Sequence, residues 1–241
     1  MEVDAEPEFR SDFTVEYVQH SGNDEMIAHA AMVSTGKSRS TTKMPDGKLN
    51  GLLNALMSKR HGTPFEHNSI TFFIEAPIFV FREWHRHRVP WSYNEASARY
   101  MKRMKPVFWM PPIDRPMVKE GKPMEPRFVP GTDDQVTETL SSLEVAYLDS
   151  WHHYSDILKS GVANEVARAA LPFGLYSSMY ATSNLRGVMH FLALRTHEPE
   201  AKFVSHPLIE IDQCARKVEE IATKLFPVSM RLFNENGRVA P

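Results

Sequence analysis

Hydrophobic residues are spaced in two regular ways along the 241-residue chain, at every second position in some stretches and at every third or fourth position in others. Alternation, together with β-branched and aromatic residues, predicts strands over 13–19, 69–75 and 175–182. Spacing of three and four predicts helices over 24–35, 49–60, 132–160, 164–170, 185–196 and 208–225, with a short one from 77 toward 86.

The longest of these helices carries clear signals at its start and along one face. Thr132 and, for the next helix, Asn164 are good N-cap residues, and Pro227 follows the last predicted helix. The hydrophobic face of 132–160 is wide and aromatic, which is compatible with a core position or with a seam between subunits. By contrast, residues 106–130 are dense in proline and have no hydrophobic period, so we expect an ordered loop or surface excursion.

Strands separated by helices without a regular βαβ rhythm predict an α+β fold, with an antiparallel or mixed sheet flanked by helices. The chain has no glycine fingerprint of the Rossmann kind, no phosphate-binding P-loop and no G-x-S-x-G nucleophile elbow. We therefore expect a single non-Rossmann domain over 1–241, with 106–130 as a possible excursion.

Composition narrows the function classes further. Hydrophobic residues make up 42% and charged residues 24% of the chain, which is typical of a globular protein. The formal net charge of −2 gives no overall attraction to nucleic acid. The apolar run PIFVF is too short to cross a bilayer and the first ten residues do not resemble a secretory signal, so we expect a cytoplasmic protein. The single cysteine, Cys214, excludes an intramolecular disulfide and is expected to be a packed core residue.

Polar and basic residues concentrate in WHRHRVPWSYNEASARY, residues 84–100. The segment contains the side chains His85, Arg86, His87, Arg88, Ser92, Asn94, Glu95 and Arg99. Guanidinium groups bind phosphate or carboxylate, histidine can donate or accept near neutral pH, and the Ser, Asn and Glu oxygens can orient a polar ligand. This mixture predicts a binding site.

A second cluster lies in NLRGVMHFLALR, residues 184–195. Arg186 and His190 are four residues apart and share a helix face, and Asn184 lies at the helix start, where anions are favoured. A solvent-facing polar stripe is the alternative. Together with 84–100, this cluster suggests two walls of one pocket for an anionic ligand.

Two weaker signals have plain structural alternatives. The polar stretch 61–67 could be a simple turn, and Arg168, flanked by alanines, could form a buried ion pair. The pairs His85/His87 and His152/His153 lack further ligands at metal-binding spacing, so we expect no metal site.

The string RHRVPWSYNEASARY resembles the signature of the flavin-dependent thymidylate synthases, which is RHR, seven residues and then serine. The resemblance extends to HGTPFEH, to APIFVFREWHRHR, to RAALP from Arg168 and to NLRGVMHFLALR, and covers roughly 13–226. Here eight residues separate Arg88 from Ser97, with the extra one near Pro90. Glu83 occupies a position where a glutamine is familiar in the family, and His190 occupies a position where asparagine is common.

The resemblance implies an α+β homotetramer with active sites assembled from several subunits. It also implies reductive methylation of dUMP to dTMP, with methylenetetrahydrofolate giving the carbon, FAD carrying hydride and NADPH reducing the flavin. By position, the implied FAD contacts are Thr63, Arg86, His87, Arg88, Glu95, Asn184, Leu185, Arg186 and His190. The implied dUMP contacts are Glu83, Trp84, His85, Arg86, Glu95, Ala96, Ser97, Ala98, Arg99, Arg168 and Arg195. Of these, Arg195 is the expected catalytic residue, because a guanidinium at the uracil edge would polarise the pyrimidine.

Two other functions remain open from the residues alone. One is a flavin-dependent oxidoreductase that binds a nucleotide without methylating it. The other is a nucleic-acid-binding module that uses the basic patch 82–105, although Glu83 and Glu95 inside the patch oppose this interpretation.

Overall fold

The computed structural model describes residues 5–36, 44–101, 105–122 and 125–241; parts of the basic patch (102–104) and of the proline-rich stretch (123–124) lie outside these ranges. The strands are β1 (Glu8–Arg10), β2 (Thr14–Ser21), β3 (Ser69–Pro77), β4 (Ser92–Glu95), β5 (Val107–Trp109), β6 (Val118–Lys122), β7 (Glu125–Val129) and β8 (Tyr176–Ser183). The α-helices are α1 (Asp24–Met32), α2 (Asp46–Ser58), α3 (Ile78–Trp84), α4 (Asp133–Lys159), α5 (Asn164–Ala167), α6 (Leu185–Arg195), α7 (Ile209–Leu225) and α8 (Pro227–Glu235). The predicted α+β class, with antiparallel and mixed strand pairing among helices, is confirmed.

The chain divides into two compact units, each made of segments that are distant in sequence. Unit 1 comprises Met1–Phe13, Glu75–Arg82 and Glu95–Met179, and unit 2 comprises Thr14–Ile74, Glu83–Asn94 and Tyr180–Pro241. The expectation of a single domain stays a prediction.

The long helix α4 provides the core of unit 1. Thr132 accepts a hydrogen bond from the Gln135 backbone N–H, and the Gln135 side chain accepts one in return from the Thr132 N–H, so the predicted N-cap is confirmed as a capping box. The aromatic residues of α4 point inward, and the Tyr147 ring stacks on Phe108 of β5 with centroids 5.0 Å apart. Strand β5 pairs in parallel with β1.

Part of 106–130 is regular β-structure where a loop was the expectation, whereas the expected surface excursion stays a prediction. The stretch contains β5 and an antiparallel hairpin of β6 and β7, in which Glu120 pairs with Arg127. The hairpin is largely exposed on both faces, so its strands have no buried side to impose the alternating pattern on which the prediction depended.

Unit 2 holds most of a four-stranded sheet with the order β2-β3-β8-β4, together with α1, α2, α6, α7 and α8. Helix α6 packs on α7. The expected core position of Cys214 on α7 is confirmed, because the residue is completely buried and burial raises the pKa of its thiol to about 12.

The roles of Pro227 and Asn164 at helix ends differ from prediction. Pro227 does not simply follow the last helix, because it also opens α8, whose Val228 and Ser229 backbone N–H groups donate to the carboxylate of Asp24 at 2.9 and 3.0 Å. Asn164 is the first residue of α5 rather than its cap. Its side-chain amide donates to the Met101 carbonyl instead.

Candidate active site

The RHR sequence occupies a tight turn at the end of α3. The turn is closed by the His87 N–H, which donates to the Trp84 carbonyl at 3.0 Å. Trp84 is completely buried and its ring stacks on Phe191 of α6 with centroids 4.6 Å apart. The two flanking arginines, Arg86 and Arg88, are exposed. The buried tryptophan thus anchors the turn, while the cationic groups face outward.

Arg195, the last residue of α6, binds two side chains near this turn. Its Nη1 donates to the Glu83 carboxylate at 2.6 Å and its Nε donates to His87 Nε2 at 3.0 Å. The pKa of His87 is lowered to about 4. Burial is the largest cause, followed by the charge of Arg195 and then by His190. His87 is therefore neutral at pH 7, with Nε2 as acceptor and the proton on Nδ1.

The start of α6 is fixed by side chains on both sides of it. The Asn184 side chain accepts a hydrogen bond from the Gly187 N–H at 2.9 Å, so it is the helix cap. Arg186 donates from Nη1 to Glu66 at 2.5 Å and from Nε to the Pro241 backbone oxygen at 2.6 Å. Arg186 is thus held by a carboxylate and a backbone oxygen at the exposed side of α6.

His190 lies one helical turn after Arg186 and is exposed. The pKa of His190 is lowered, mainly by partial burial of the ring and then by the charges of Arg186 and Arg60. Arg60 is itself fixed by hydrogen bonds to the carbonyls of Val239 and Ala240 at 2.9 and 2.7 Å. A neutral His190 can donate and accept hydrogen bonds, as an asparagine amide can.

Unit 1 contains a cavity of about 960 Å³, which is within the size of small-molecule sites. Of the residues predicted for the nucleotide, Glu95, Ala96, Ser97, Ala98 and Arg168 line it. One wall is fixed by the Ala96 N–H, which donates to the Ser178 carbonyl at 2.8 Å. The other lining residues are Arg10, Glu75, Ile78, Met101, Lys105, Val107, Glu165, Ala169, Leu171, Phe173, Leu175, Tyr176 and Ser177.

The arginines at this cavity differ in their surroundings. Arg168 is exposed, and its Nε donates to the Glu165 carbonyl at 3.3 Å, so the alternative of a buried ion pair is wrong. Arg99 pairs with the Glu165 carboxylate at 3.3 Å and lies over the Tyr100 ring. Arg10 pairs with Asp12 through two hydrogen bonds of 3.0 Å.

The predicted FAD residues other than Glu95 all belong to unit 2, whereas the predicted dUMP residues are divided between the units. Glu83, Trp84, His85, Arg86 and Arg195 are in unit 2, and Glu95, Ala96, Ser97, Ala98, Arg99 and Arg168 are in unit 1. The single pocket expected from the sequence therefore stays a prediction. Trp84 and Leu185 are completely buried, so their predicted contacts with dUMP and FAD stay predictions.

Several residues that contact the predicted residues of unit 2, or that line the cavity of unit 1, were not singled out from the sequence. Arg60, Glu66 and Tyr93 surround the unit 2 residues, and Ser177 and Ser178 line the cavity. Tyr93 was within the quoted motif and Glu66 within HGTPFEH, so their positions were detectable. Arg60 carried no local signal, because its hydrogen-bond partners lie 179 and 180 residues further along the chain.

The loop between Arg88 and Ser97, which is one residue longer than the family signature, begins with a turn. The Trp91 N–H donates to the Arg88 carbonyl at 2.8 Å, and the buried Trp91 indole donates to the Gly187 carbonyl at 3.3 Å. Gly187 has no room for a side chain, because a Cβ there would lie 2.6 Å from Pro90. The longer loop is thus fastened to α6.

In the ranges that the structure describes, no group of three or more His, Cys, Asp or Glu residues is arranged to hold a metal ion. Among the described helices, none is long and apolar enough to cross a membrane.

Comparison with known proteins gives a consistent result. Residues 16–228 match the profile of the family described as thymidylate synthase complementing protein. The chain is 51% identical over 240 residues to a flavin-dependent thymidylate synthase of Streptomyces avermitilis, covering 99% of this chain and 97% of that protein. It is 44% identical over 237 residues to the enzyme of the same name from Tropheryma whipplei, with 98% of each chain covered.

The fold also matches a solved structure. The UMP/dUMP methylase PolB from Streptomyces cacaoi, bound with 5-Br dUMP, superposes with a TM-score of 0.91 and 45% identity. The match covers 97% of this chain and 100% of that one.

Proposed function

The chain belongs to the flavin-dependent thymidylate synthase family, and we propose from this premise that the cavity of unit 1 binds dUMP while the arginine-rich surface of unit 2 binds FAD. The reaction is the reductive methylation of dUMP to dTMP, with methylenetetrahydrofolate as carbon donor and NADPH as reductant. One observation carries the assignment of residues: Arg195 is fixed between Glu83 and a neutral His87, directly beside the turn that bears the family signature.

The cavity fits a nucleotide monophosphate. Its volume of about 960 Å³ exceeds what one nucleotide fills, and its lining combines apolar side chains with Ser97 and with cationic groups. Arg168 is exposed and flanked by small residues, so its guanidinium can reach a phosphate without losing an existing side-chain ion pair.

The residues of unit 2 fit the pyrophosphate and the polar edge of FAD. Arg86 and Arg88 present exposed guanidinium groups, half-buried Arg186 adds a third cation at the start of α6, and His190 is neutral there. FAD, when bound, supplies the hydride that converts the transferred carbon to a methyl group. The residues of this chain bind and orient it.

Arg195 is the residue placed to assist the chemistry. A guanidinium has five N–H donors, and the bonds to Glu83 and His87 use two of them. The others can donate to the O and N3 edge of uracil, where negative charge develops as C5 becomes nucleophilic. Because Arg195 is already held in place, this stabilisation needs little reorganisation.

No cysteine activates the pyrimidine. The only cysteine of the chain, Cys214, is buried on α7, and burial raises the pKa of its thiol to about 12, so it is neither accessible nor ionised at pH 7. Ser97 lines the cavity and is assigned to dUMP binding, because a serine without an adjacent base is a weak nucleophile.

We also propose that the enzyme works as a homotetramer in which one copy's unit 1 cavity faces another copy's Arg195. The division of the predicted dUMP residues between two units supports this, since rotational symmetry can bring different surfaces of identical chains together. The cytoplasmic location stays a prediction.

Co-expression of two inactive variants tests the shared site. Arg168→Ala and Arg195→Ala should each be inactive alone, whereas mixed tetramers should regain activity, because some sites then contain both arginines. Activity that stays at background in the mixture would show that both arginines act within one chain, and sedimentation should report the tetramer mass.

Binding and turnover of the purified protein test the proposed function itself. The protein should bind FAD, and its oxidation of NADPH should change on addition of dUMP. UMP is a second candidate substrate, since the 45% identical relative is a UMP/dUMP methylase, and it should be assayed in parallel. A colourless protein that neither binds FAD nor oxidises NADPH would contradict the proposal, and salt-dependent binding of oligonucleotides would then favour a nucleic-acid module.

A further inference from the structure

Tyr93 lies in β4, within the family signature, yet its hydroxyl contacts backbone rather than an exposed ligand surface. The hydroxyl lies 2.7 Å from the His87 carbonyl and 3.1 Å from the Trp84 carbonyl. These two residues are the last and the first of the turn that the His87 N–H closes on Trp84. A single hydroxyl proton is thus shared between the two ends of the turn.

The tyrosine ring is itself fixed by aromatic neighbours. It stacks on the buried Trp91 with the two planes 3° apart and the centroids at 5.9 Å. The edge of His85 meets it at 4.8 Å. Burial raises the pKa of Tyr93, so the hydroxyl keeps its proton and remains a donor throughout the working pH range.

The turn 84–87 connects Tyr93 to two proposed roles of unit 2, the binding of FAD and the support of Arg195. Arg86, in the middle of the turn, is assigned to FAD, and His87, at its end, accepts the hydrogen bond from Arg195 at 3.0 Å. If the turn relaxes, the Arg86 guanidinium and the His87 ring both change direction. A small displacement of such groups weakens both binding and catalysis.

We propose that Tyr93 is a positioning residue, whose hydroxyl fixes the turn 84–87 and so holds Arg86 toward FAD and His87 against Arg195. The inference rests on the proposed function for its effect on FAD and turnover, but its structural part, the hold on the turn, stands separately. Tyr93 itself contacts neither ligand in this assignment.

The variant Tyr93→Phe removes only the hydroxyl and keeps the ring stack. We expect the Kd for FAD to rise about tenfold, which corresponds to about 1.4 kcal/mol and is the size of one lost hydrogen bond. The value of kcat for dTMP formation should fall as well. The matched control is Tyr17→Phe on β2, whose exposed hydroxyl bonds to His20 Nδ1 at 2.8 Å and should leave both values within about twofold.

Amide hydrogen exchange separates positioning from general destabilisation. In Tyr93→Phe, peptides covering 84–88 should exchange at least about fivefold faster, while peptides from α7 keep the wild-type rate. Faster exchange everywhere, or an unchanged rate over 84–88 together with an unchanged Kd for FAD, would overturn the proposal.

Two further outcomes are distinguishable. If the wild-type protein binds no FAD, the proposed function fails, and the exchange rates still decide whether Tyr93 holds the turn. If Tyr93→Phe does not fold, the wild-type protein alone provides the test: residues 84–88 should be protected about as strongly as α7, and exchange at the rate of an exposed loop would overturn the inference.

Discussion

At the scale of single residues, the arrangement of Arg195, Glu83 and His87 explains how a cation can be held ready for catalysis. Glu83 anchors one nitrogen of the guanidinium, and His87 anchors another without competing for charge, because it is neutral. The motif residues could be predicted from the sequence, but this ion pair could not, since 112 residues separate its partners.

Replacing Arg195 by alanine should lower kcat for dTMP formation by about 10²–10³-fold, the usual effect of removing one donor that stabilises developing charge. The Kd for FAD should change by less than about threefold, because the exposed arginines of the turn remain. Arg231→Ala on α8 removes an exposed cation paired with Glu235 and is the control. Unchanged turnover in Arg195→Ala would remove Arg195 from the catalytic role.

The lowered pKa of His87 predicts a specific pH dependence of stability. The folded value is about 4, compared with 6.5 for a free histidine, so the unfolded chain binds more protons between these values. His87 therefore contributes a loss of stability as the pH falls from about 6.5 to 4, and no change above that window.

Urea unfolding at pH 7 and pH 5 measures this contribution. His87→Gln keeps a polar side chain that does not titrate, so the variant should lose less stability than the wild type between the two pH values. His153→Gln, at an exposed position of α4, should behave as the wild type does. Equal losses in all three proteins would contradict the assigned state of His87.

At the scale of elements, the predictions depended on a buried face and on clear signals at the ends of a segment. Helix α4 was recognised because its aromatic face packs into the core of unit 1 and Thr132 caps it. The hairpin of β6 and β7 was missed because it is mostly exposed, and α8 was missed because Pro227 serves both as the residue after one helix and as the start of another.

Gly62 lies after α2 and directly faces the Arg186 side chain of α6. A Cβ at Gly62 would lie 2.5 Å from the Arg186 guanidinium and 2.6 Å from the Pro241 oxygen. Gly62→Ala should therefore displace Arg186, lower Tm by several degrees and raise the Kd for FAD several-fold, as measured by thermal melting and flavin titration. Gly51→Ala is the matched control, since a Cβ there meets nothing within 4 Å and should stabilise α2 by about 1 kcal/mol.

At the scale of the whole molecule, the sequence motifs gave the family, the fold class and the identity of the candidate residues. They did not give the division of the chain into two compact units, because each unit is assembled from segments that are distant in sequence. Nor did they indicate Arg238, which is 9% exposed and has a φ of 56°.

Arg238 joins α7 to the end of α6. It donates to both oxygens of Glu219 at 2.6 and 3.0 Å and to the Thr196 hydroxyl at 2.9 Å, next to Arg195, for which a catalytic role is proposed. Arg238→Met should cost about 2 kcal/mol in the free energy of unfolding, because the largely buried Glu219 carboxylate loses two hydrogen bonds and keeps only the weaker contact with Arg216 at 3.9 Å. The double variant Arg238→Met/Glu219→Met should recover much of this loss in urea unfolding, and equal loss in both would contradict a buried ion pair at this position.

The most direct measurement is formation of dTMP by the purified protein supplied with dUMP, methylenetetrahydrofolate, FAD and NADPH. Methylenetetrahydrofolate labelled in its methylene carbon should transfer the label to the methyl group on C5 of the product, with dTMP accumulating only when all four compounds are present. Oxidation of NADPH without labelled dTMP would instead identify a flavin oxidoreductase that does not methylate, and would contradict the assignment of this chain's arginines to thymidylate synthesis.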